Sequence, residues 1–217
     1  MRKGVLIAIE GTDGSGKKTQ AVVLAEHLRK MGHKVEIFSF PKHGKASAYF
    51  TMQYLRGVYG GVRNVSSYQA SLFFALDRFD SAPAILRALA MGKIVIADRY
   101  VGSNMGHQGA NIASSVARKK YFSWVQNLEF NILGIPRPVI SIVLCVPPAT
   151  AQKLTTAKKE LLAASLSHLQ RAARVYSQIE DMFPKQFVSI NCIRVGKLLS
   201  VKEVHGKIWQ QVEQLIR

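Results

Sequence analysis

At 217 residues, 48% apolar and 20% charged, the chain is long enough for one compact domain with a sizeable core and too apolar to be disordered. Thirty Lys and Arg against 13 Asp and Glu give a formal charge of +17, so the surface draws polyanions: nucleotide, nucleic acid or acidic membrane. The basic residues are spread along the chain, 15 before Gln108 and 15 after it, with no basic-and-aromatic motif, so a dedicated nucleic-acid surface is possible but not favoured.

The elements alternate. Val5 to Glu10 is a continuous apolar run ending at a Gly-rich turn, as in a strand buried on both faces of a parallel sheet. From Lys17 the apolar residues fall at helical spacing until Gly32 stops them. KVEIFSF, closed by Pro41, predicts a second strand, and ASAYFTMQYLRG a short helix. Ser66 or Ser67 can cap a long helix running to Met91, with Gly92 as its stop. KIVIADRY is a third buried strand, and the stretch from Ser114 to about Gly134 a further helix. VISIVLCV and FVSINC follow as strands, separated by a helical stretch from Ala149 to Phe183. Ser200 with Glu203 fits a capping box at the head of the last helix. The pattern predicts one α/β domain over residues 1–217, a five-stranded, mostly parallel sheet with helices on both faces. Ligands of such folds bind beyond the carboxyl ends of the strands, where Glu10, Ser39, Asp98, Arg99 and Asn191 are expected to line one rim.

Cys145 and Cys192 form no CxxC pair, and the six histidines do not cluster at ligand spacing, which argues against a disulfide framework or a zinc site. The apolar run after Met1 is too short for a signal-peptide core, and no segment approaches a membrane span, so the chain reads as soluble and cytoplasmic.

The stretch IEGTDGSGKKTQ, Ile9 to Gln20, carries the chemistry. A strand, a Gly-rich turn, a lysine and a helix are the context of a phosphate-binding P-loop. Gly11, Gly14 and Gly16 let Thr12, Asp13 and Ser15 turn their N–H groups inward as a nest for phosphate oxygens, and Lys17 adds a full charge. Lys18 stands where a hydroxyl normally meets Mg²⁺, and Thr19 follows it. Two accounts stay open: Mg²⁺ held by phosphate oxygens and waters with carboxylates behind them, or a loop that binds nucleotide without turning it over.

EGTDGSGKKTQ, FSFPK, SLFFALDRF, IVIADRYVGSN and IPRPVISIVLCV occur in the order found in thymidylate kinases, and the chain resembles that family from about residue 4 to 215. It is similar to a bacterial and archaeal-type branch in which the residue after the P-loop lysine is often neither Ser nor Thr. The resemblance implies a P-loop kinase fold with a helical lid over about residues 150–175. It also implies a homodimer and Mg²⁺-dependent transfer of a phosphoryl group from ATP to dTMP. Residues 11–19 are then the ATP loop. Asp13 holds the acceptor's sugar 3′-hydroxyl, Phe74 stacks on thymine and Arg78 bonds its carbonyl. Arg99 clamps the phosphates, Asp98 stands near the metal and its waters, and Phe40, Lys42, Ser103 and Gln108 line the acceptor pocket. Departures are visible. His43 replaces an arginine of the family's FPER, His107 replaces a Tyr or Phe beside the deoxyribose, and Gly14 leaves a lid cation, Lys158 or Lys159, as the catalytic candidate. These departures keep two rivals open: a related nucleoside or nucleotide kinase with another acceptor, and a non-catalytic nucleotide- or nucleic-acid-binding protein.

Overall fold

The structure is a computed structural model that describes residues 4–60, 64–154 and 165–216. Five parallel strands make the central sheet: β1 (Val5–Gly11), β2 (Val35–Ser39), β3 (Ile94–Asp98), β4 (Ile140–Cys145) and β5 (Phe187–Asn191), in the order β2-β3-β1-β4-β5. The main helices are α1 (Lys17–Lys30), α2 (Tyr49–Leu55), α3 (Ser67–Ala90), α4 (Val101–Ser103), α5 (Ser115–Gln126), α6 (Pro148–Leu154), α7 (Leu166–Met182) and α8 (Val201–Val212). A hairpin that the apolar pattern does not foretell, β6 (Ile193–Arg194) with β7 (Lys197–Leu198), follows the sheet.

The continuous apolar run of β1 serves two cores at once. Leu6 and Ala8 face a cluster built with α3, α5 and α7, while Ile7 and Ile9 face one built with α1 and α8. Leu24 and Leu28 of α1 are fully buried in the second cluster, each contributing about 1.5–3 kcal/mol by leaving water. Ser66, not Ser67, caps α3 and completes a capping box with Gln69; Ser67 Oγ donates to the Gln108 carbonyl at 2.8 Å. The expected box of Ser200 and Glu203 heads α8.

The stretch from Ser114 to Gly134 does not stay regular. After Gln126 the backbone widens into a π-helical turn, Asn127–Ile132, and a second one spans Asn104–Gln108. The first turns Glu129 fully inward, where Arg78 Nε donates to Oε2 at 2.5 Å and Nη2 to Oε1 at 2.7 Å. Both side chains are buried, so each charge is tolerable only because of the other. Replacing Glu129 by Leu strands the Arg78 guanidinium in the core. We expect a loss of about 3–5 kcal/mol in chemical denaturation, with most of it recovered in the Arg78→Met/Glu129→Leu double variant. A single variant as stable as the parent shows that the pair carries no such weight.

Candidate active site

The loop between β1 and α1 closes on its own lysine. Gly11, Gly14 and Gly16 have φ of 135°, 76° and 84°, a left-handed region that side chains rarely enter. At Gly11 a Cβ would also stand 2.7 Å from the Leu144 carbonyl oxygen, so this position has neither the conformation nor the room for a side chain. Lys17 is buried, and its Nζ donates to the Thr12 carbonyl at 2.6 Å and to Ser15 Oγ at 3.4 Å. Burial first, and then the Arg99 charge, push its ammonium down to about 7, with Asp13, Asp98 and Glu10 opposing. Lys18 and Thr19 are both exposed on the first turn of α1, so neither side chain fills the cradle.

Arg99 follows β3 in a left-handed conformation, φ 64°, with its N–H bonded to the Ile9 carbonyl at 3.0 Å. Glu10 secures this bend. It is fully buried and accepts from Tyr100 N–H at 3.0 Å and from Ser103 Oγ at 2.6 Å. Burial raises its carboxyl above the ordinary range. Glu10 therefore lies beneath the rim it was expected to line. Arg99 Nη2 donates to Asp13 Oδ1, joining the loop to the end of β3. Burial works against the Asp13 charge, but the guanidinium outweighs it and holds the carboxyl well below the carboxylate range. Asp98 is half-buried near Lys17, Lys18 and Arg99, with its carboxyl raised by burial; no hydrogen bond to that carboxylate is recorded among the described residues.

Beside Arg99 opens a cleft. Asp13, Arg99, His107 and His168, joined by side-chain contacts, line it beside the loop, and Phe40, Tyr54, Phe74, Arg78, Asn104 and Gln108 complete the lining. Phe74 is half-buried with its ring edge-on to Tyr54, 6.2 Å between centroids. Gln108 Oε1 accepts from the Tyr54 hydroxyl at 3.4 Å. Ser103 lines the cleft, but its hydroxyl is spent on Glu10. Lys42 stands apart. Its ammonium lies 5.7 Å from the Phe38 ring, and with His43 and Lys45 it borders a neighbouring shallow depression. Its N–H donates to Asp77 Oδ2 at 2.8 Å, and Ser47 Oγ donates to Oδ1 at 2.7 Å; this buried aspartate ties the loop after β2 to α3. Lys158 and Lys159, with much of the expected lid, lie outside the described residues.

Sequence reasoning does not single out Asn104 or Glu129. Asn104 lines the cleft; its Nδ2 donates to the Ser71 carbonyl at 3.0 Å and to Glu129 Oε1 at 2.8 Å. Those two acceptors fix the amide orientation, which leaves the buried Oδ1 without a hydrogen-bond partner. A lone carboxylate in the otherwise apolar and amide-bearing NLEFNIL was the one readable signal for Glu129.

The profile of the family described as thymidylate kinase matches residues 9–208. A thymidylate kinase of Mycobacterium tuberculosis is 36% identical over 143 residues, covering 65% of this chain and 66% of that protein. A probable thymidylate kinase of Pyrococcus abyssi is 31% identical over 209 residues, covering 95% of this chain and 94% of that one. Among solved structures, a thymidylate kinase from Candida albicans superposes with a TM-score of 0.76 at 20% identity, covering 98% of this chain and 92% of the other, which is a likeness of fold. With the loop, the β3 bend and the cleft in place and 200 consecutive residues matched by one profile (9 to 208), the chain belongs to the thymidylate kinase family.

Proposed function

We propose that the protein is a thymidylate kinase that moves the γ-phosphoryl group of ATP to dTMP, giving ADP and dTDP, in the cytoplasm. One observation carries the acceptor: Asn104, whose Oδ1 has no partner among the described residues, and Arg78, both held by Glu129 Oε1, line one cleft. A thymine edge offers a carbonyl oxygen next to an N–H, the complement of a donor next to an acceptor. Cytosine offers an amino group and a bare nitrogen instead, so both contacts reverse. Arg78 is restrained by Glu129 and Asn104 by Ser71 and Glu129, so the pair is oriented before any ligand arrives. Phe74 supplies a stacking face, and Gln108 and Phe40 close the pocket.

The nucleoside then lies with its phosphate toward Arg99 and the loop. Asp13 accepts from the sugar hydroxyl or withdraws from the incoming anion; Arg99 turns to the acceptor phosphate; Lys17 meets the ATP phosphates carried on the nest of residues 11–19. Positioning and charge neutralisation provide most of the acceleration, since phosphoryl transfer asks little covalent chemistry of the protein. Asp98 would hold Mg²⁺ through its waters, being a half-buried carboxylate with no hydrogen bond from the described residues. The chemistry Mg²⁺ would supply there is neutralisation of charge on the transferring phosphates. The exposure of Lys18 keeps its ammonium out of the cradle, which favours the account in which the loop works without a hydroxyl at that position.

We also infer a homodimer. Tyr68, Leu72, Leu76, Phe79 and Leu86 recur on one face of α3 and are each between 40% and 50% exposed, an apolar stripe that a partner helix would cover.

An acceptor panel with ATP and Mg²⁺ tests the assignment. dTMP and dUMP are turned over, dCMP is worse by about a hundredfold or more, and Asn104→Leu loses dTMP turnover by a similar factor. A protein that prefers dCMP, or a purine monophosphate, overturns it. Nucleotide binding should also take up a proton. Lys17 is mostly neutral above about 7 in the empty loop, whereas a triphosphate favours its ammonium form. Calorimetry of ATP binding at about pH 8.5, in two buffers of different ionisation enthalpy, should give close to one proton taken up per site. That uptake vanishes near about pH 6 and in Lys17→Met; release, or no change, at the higher pH contradicts the placement of Lys17. Light scattering should give twice the 24.0 kDa chain mass for the parent and the single-chain mass for Leu76→Asp.

A further inference from the structure

His107 has a partner on each side. Arg99 Nη1 meets its Nε2 at 3.2 Å, and its Nδ1 meets His168 Nε2 at 3.4 Å, with the two imidazole centroids 5.7 Å apart. The directions of these bonds follow from chemistry alone. A guanidinium has donors and no acceptor, so His107 Nε2 is the bare nitrogen. The proton of that ring is on Nδ1 and is donated to His168 Nε2, which puts the His168 proton on its own Nδ1. Arg99 thus starts a one-way chain that sets both tautomers. Burial, with Arg99 and His168 adding to it and Asp13 opposing, pushes His107 down to about 3, so the ring is neutral as the chain requires.

We propose that His107, backed by His168, is a positioning residue that aims the Arg99 guanidinium at the acceptor phosphate. The inference rests on the kinase reading above. Among the described residues Arg99 is anchored by the side chains of Asp13 and His107. An arriving phosphate competes with Asp13 for the same guanidinium and repels its carboxylate. It has no such quarrel with a neutral imidazole, so His107 is the anchor that survives binding. The Phe or Tyr implied by the family resemblance fills this space but offers no in-plane nitrogen lone pair to the guanidinium. Here the imidazole supplies that acceptor, and His168 fixes the ring so that it faces Arg99. His168 is itself set by the first turn of α7, where its N–H donates to Ser165 Oγ at 3.2 Å. The aim of Arg99 is thereby tied to the start of α7.

Two variants and one spectrum test this. His107→Phe keeps a ring and loses the acceptor; His107→Gln carries an acceptor and a donor on one planar group and can bond Arg99 and His168 together. In steady-state kinetics His107→Phe should lower kcat/KM for dTMP by about ten- to a hundredfold, the range for one hydrogen bond to a charged group, with KM for ATP unchanged. His107→Gln should recover most of that loss. ¹⁵N spectra of the unmodified protein should show His107 neutral with its proton on Nδ1. A Phe variant with parental kcat/KM, a Gln variant no better than Phe, or a proton on Nε2 each overturns the proposal. If the protein phosphorylates no dTMP, the kinase reading fails in the acceptor panel, and the tautomer spectrum still decides the hydrogen-bond chain.

Discussion

The hydrogen bond from the Arg99 N–H to the Ile9 carbonyl is the constraint on which the site depends. It continues the β1–β3 ladder, in which Ile9 stands opposite Asp98, past the last paired residues. One residue further on, the ladder stops: Arg99 turns left-handed and the Tyr100 N–H, released from the sheet, is taken by the Glu10 carboxylate. A left-handed arginine is a strained choice, and a buried carboxylate is an expensive one. Each is tolerated because it satisfies the other. The result is that the guanidinium leaves the sheet beside the Gly-rich loop, within reach of Asp13, and the cleft begins where the sheet ends.

The loop and the cleft face opposite electrostatic problems. Toward the loop, Lys17, Arg99 and Lys18 crowd around Asp13 and Asp98, and the ammonium of Lys17 is depressed, first by burial and then by the Arg99 charge. An anion bound there would offset the repulsion between Arg99 and Lys17. Elsewhere in the cleft the charges are already balanced. Arg78 and Glu129 neutralise each other completely, and what they present to the cleft is direction rather than net charge. A neutral base needs hydrogen bonds and a stacking face, and a triphosphate needs cations; the two parts of the same site are built accordingly.

The sheet and the loop were legible because their signals are local. A continuous apolar run ending in a Gly-rich turn is read directly, and the parallel sheet follows from alternation with helices, though not the order of its strands. Lys17, Asp13 and Arg99 were legible for the same reason, since glycine spacing and a charged pair at a strand end need no tertiary knowledge. Asn104 and Glu129 were not. Both ride on π-helical turns, where one extra residue per turn shifts side chains off the helical face that periodicity predicts. Their partners, Ser71 and Arg78, lie 33 and 51 residues away in the chain, so nothing in the local pattern pairs them. Lys42 is a different case: it sits in a motif, FSFPK, that implies a pocket contact, and the fold bonds its backbone N–H to Asp77 and places its ammonium near the Phe38 ring. Motif position locates a backbone, and where a long side chain goes depends on what packs against it.

The histidine at 107 shows how a departure from a family pattern can be absorbed. A polar ring set into a cleft wall ordinarily costs a desolvated nitrogen on each side. Here the Arg99 donor meets one nitrogen and the His168 acceptor meets the other, and the two imidazole planes lie near parallel, 24° apart. Such an arrangement works in one protonation state only. Adding a proton to His107 would turn its Nε2 from acceptor to donor and set it against a guanidinium that can only donate. Burial, with the neighbouring cations adding to it, keeps the ring neutral and so protects the bond that orients Arg99; the burial that depresses the ammonium of Lys17 becomes at His107 the condition for a neutral and well-aimed site.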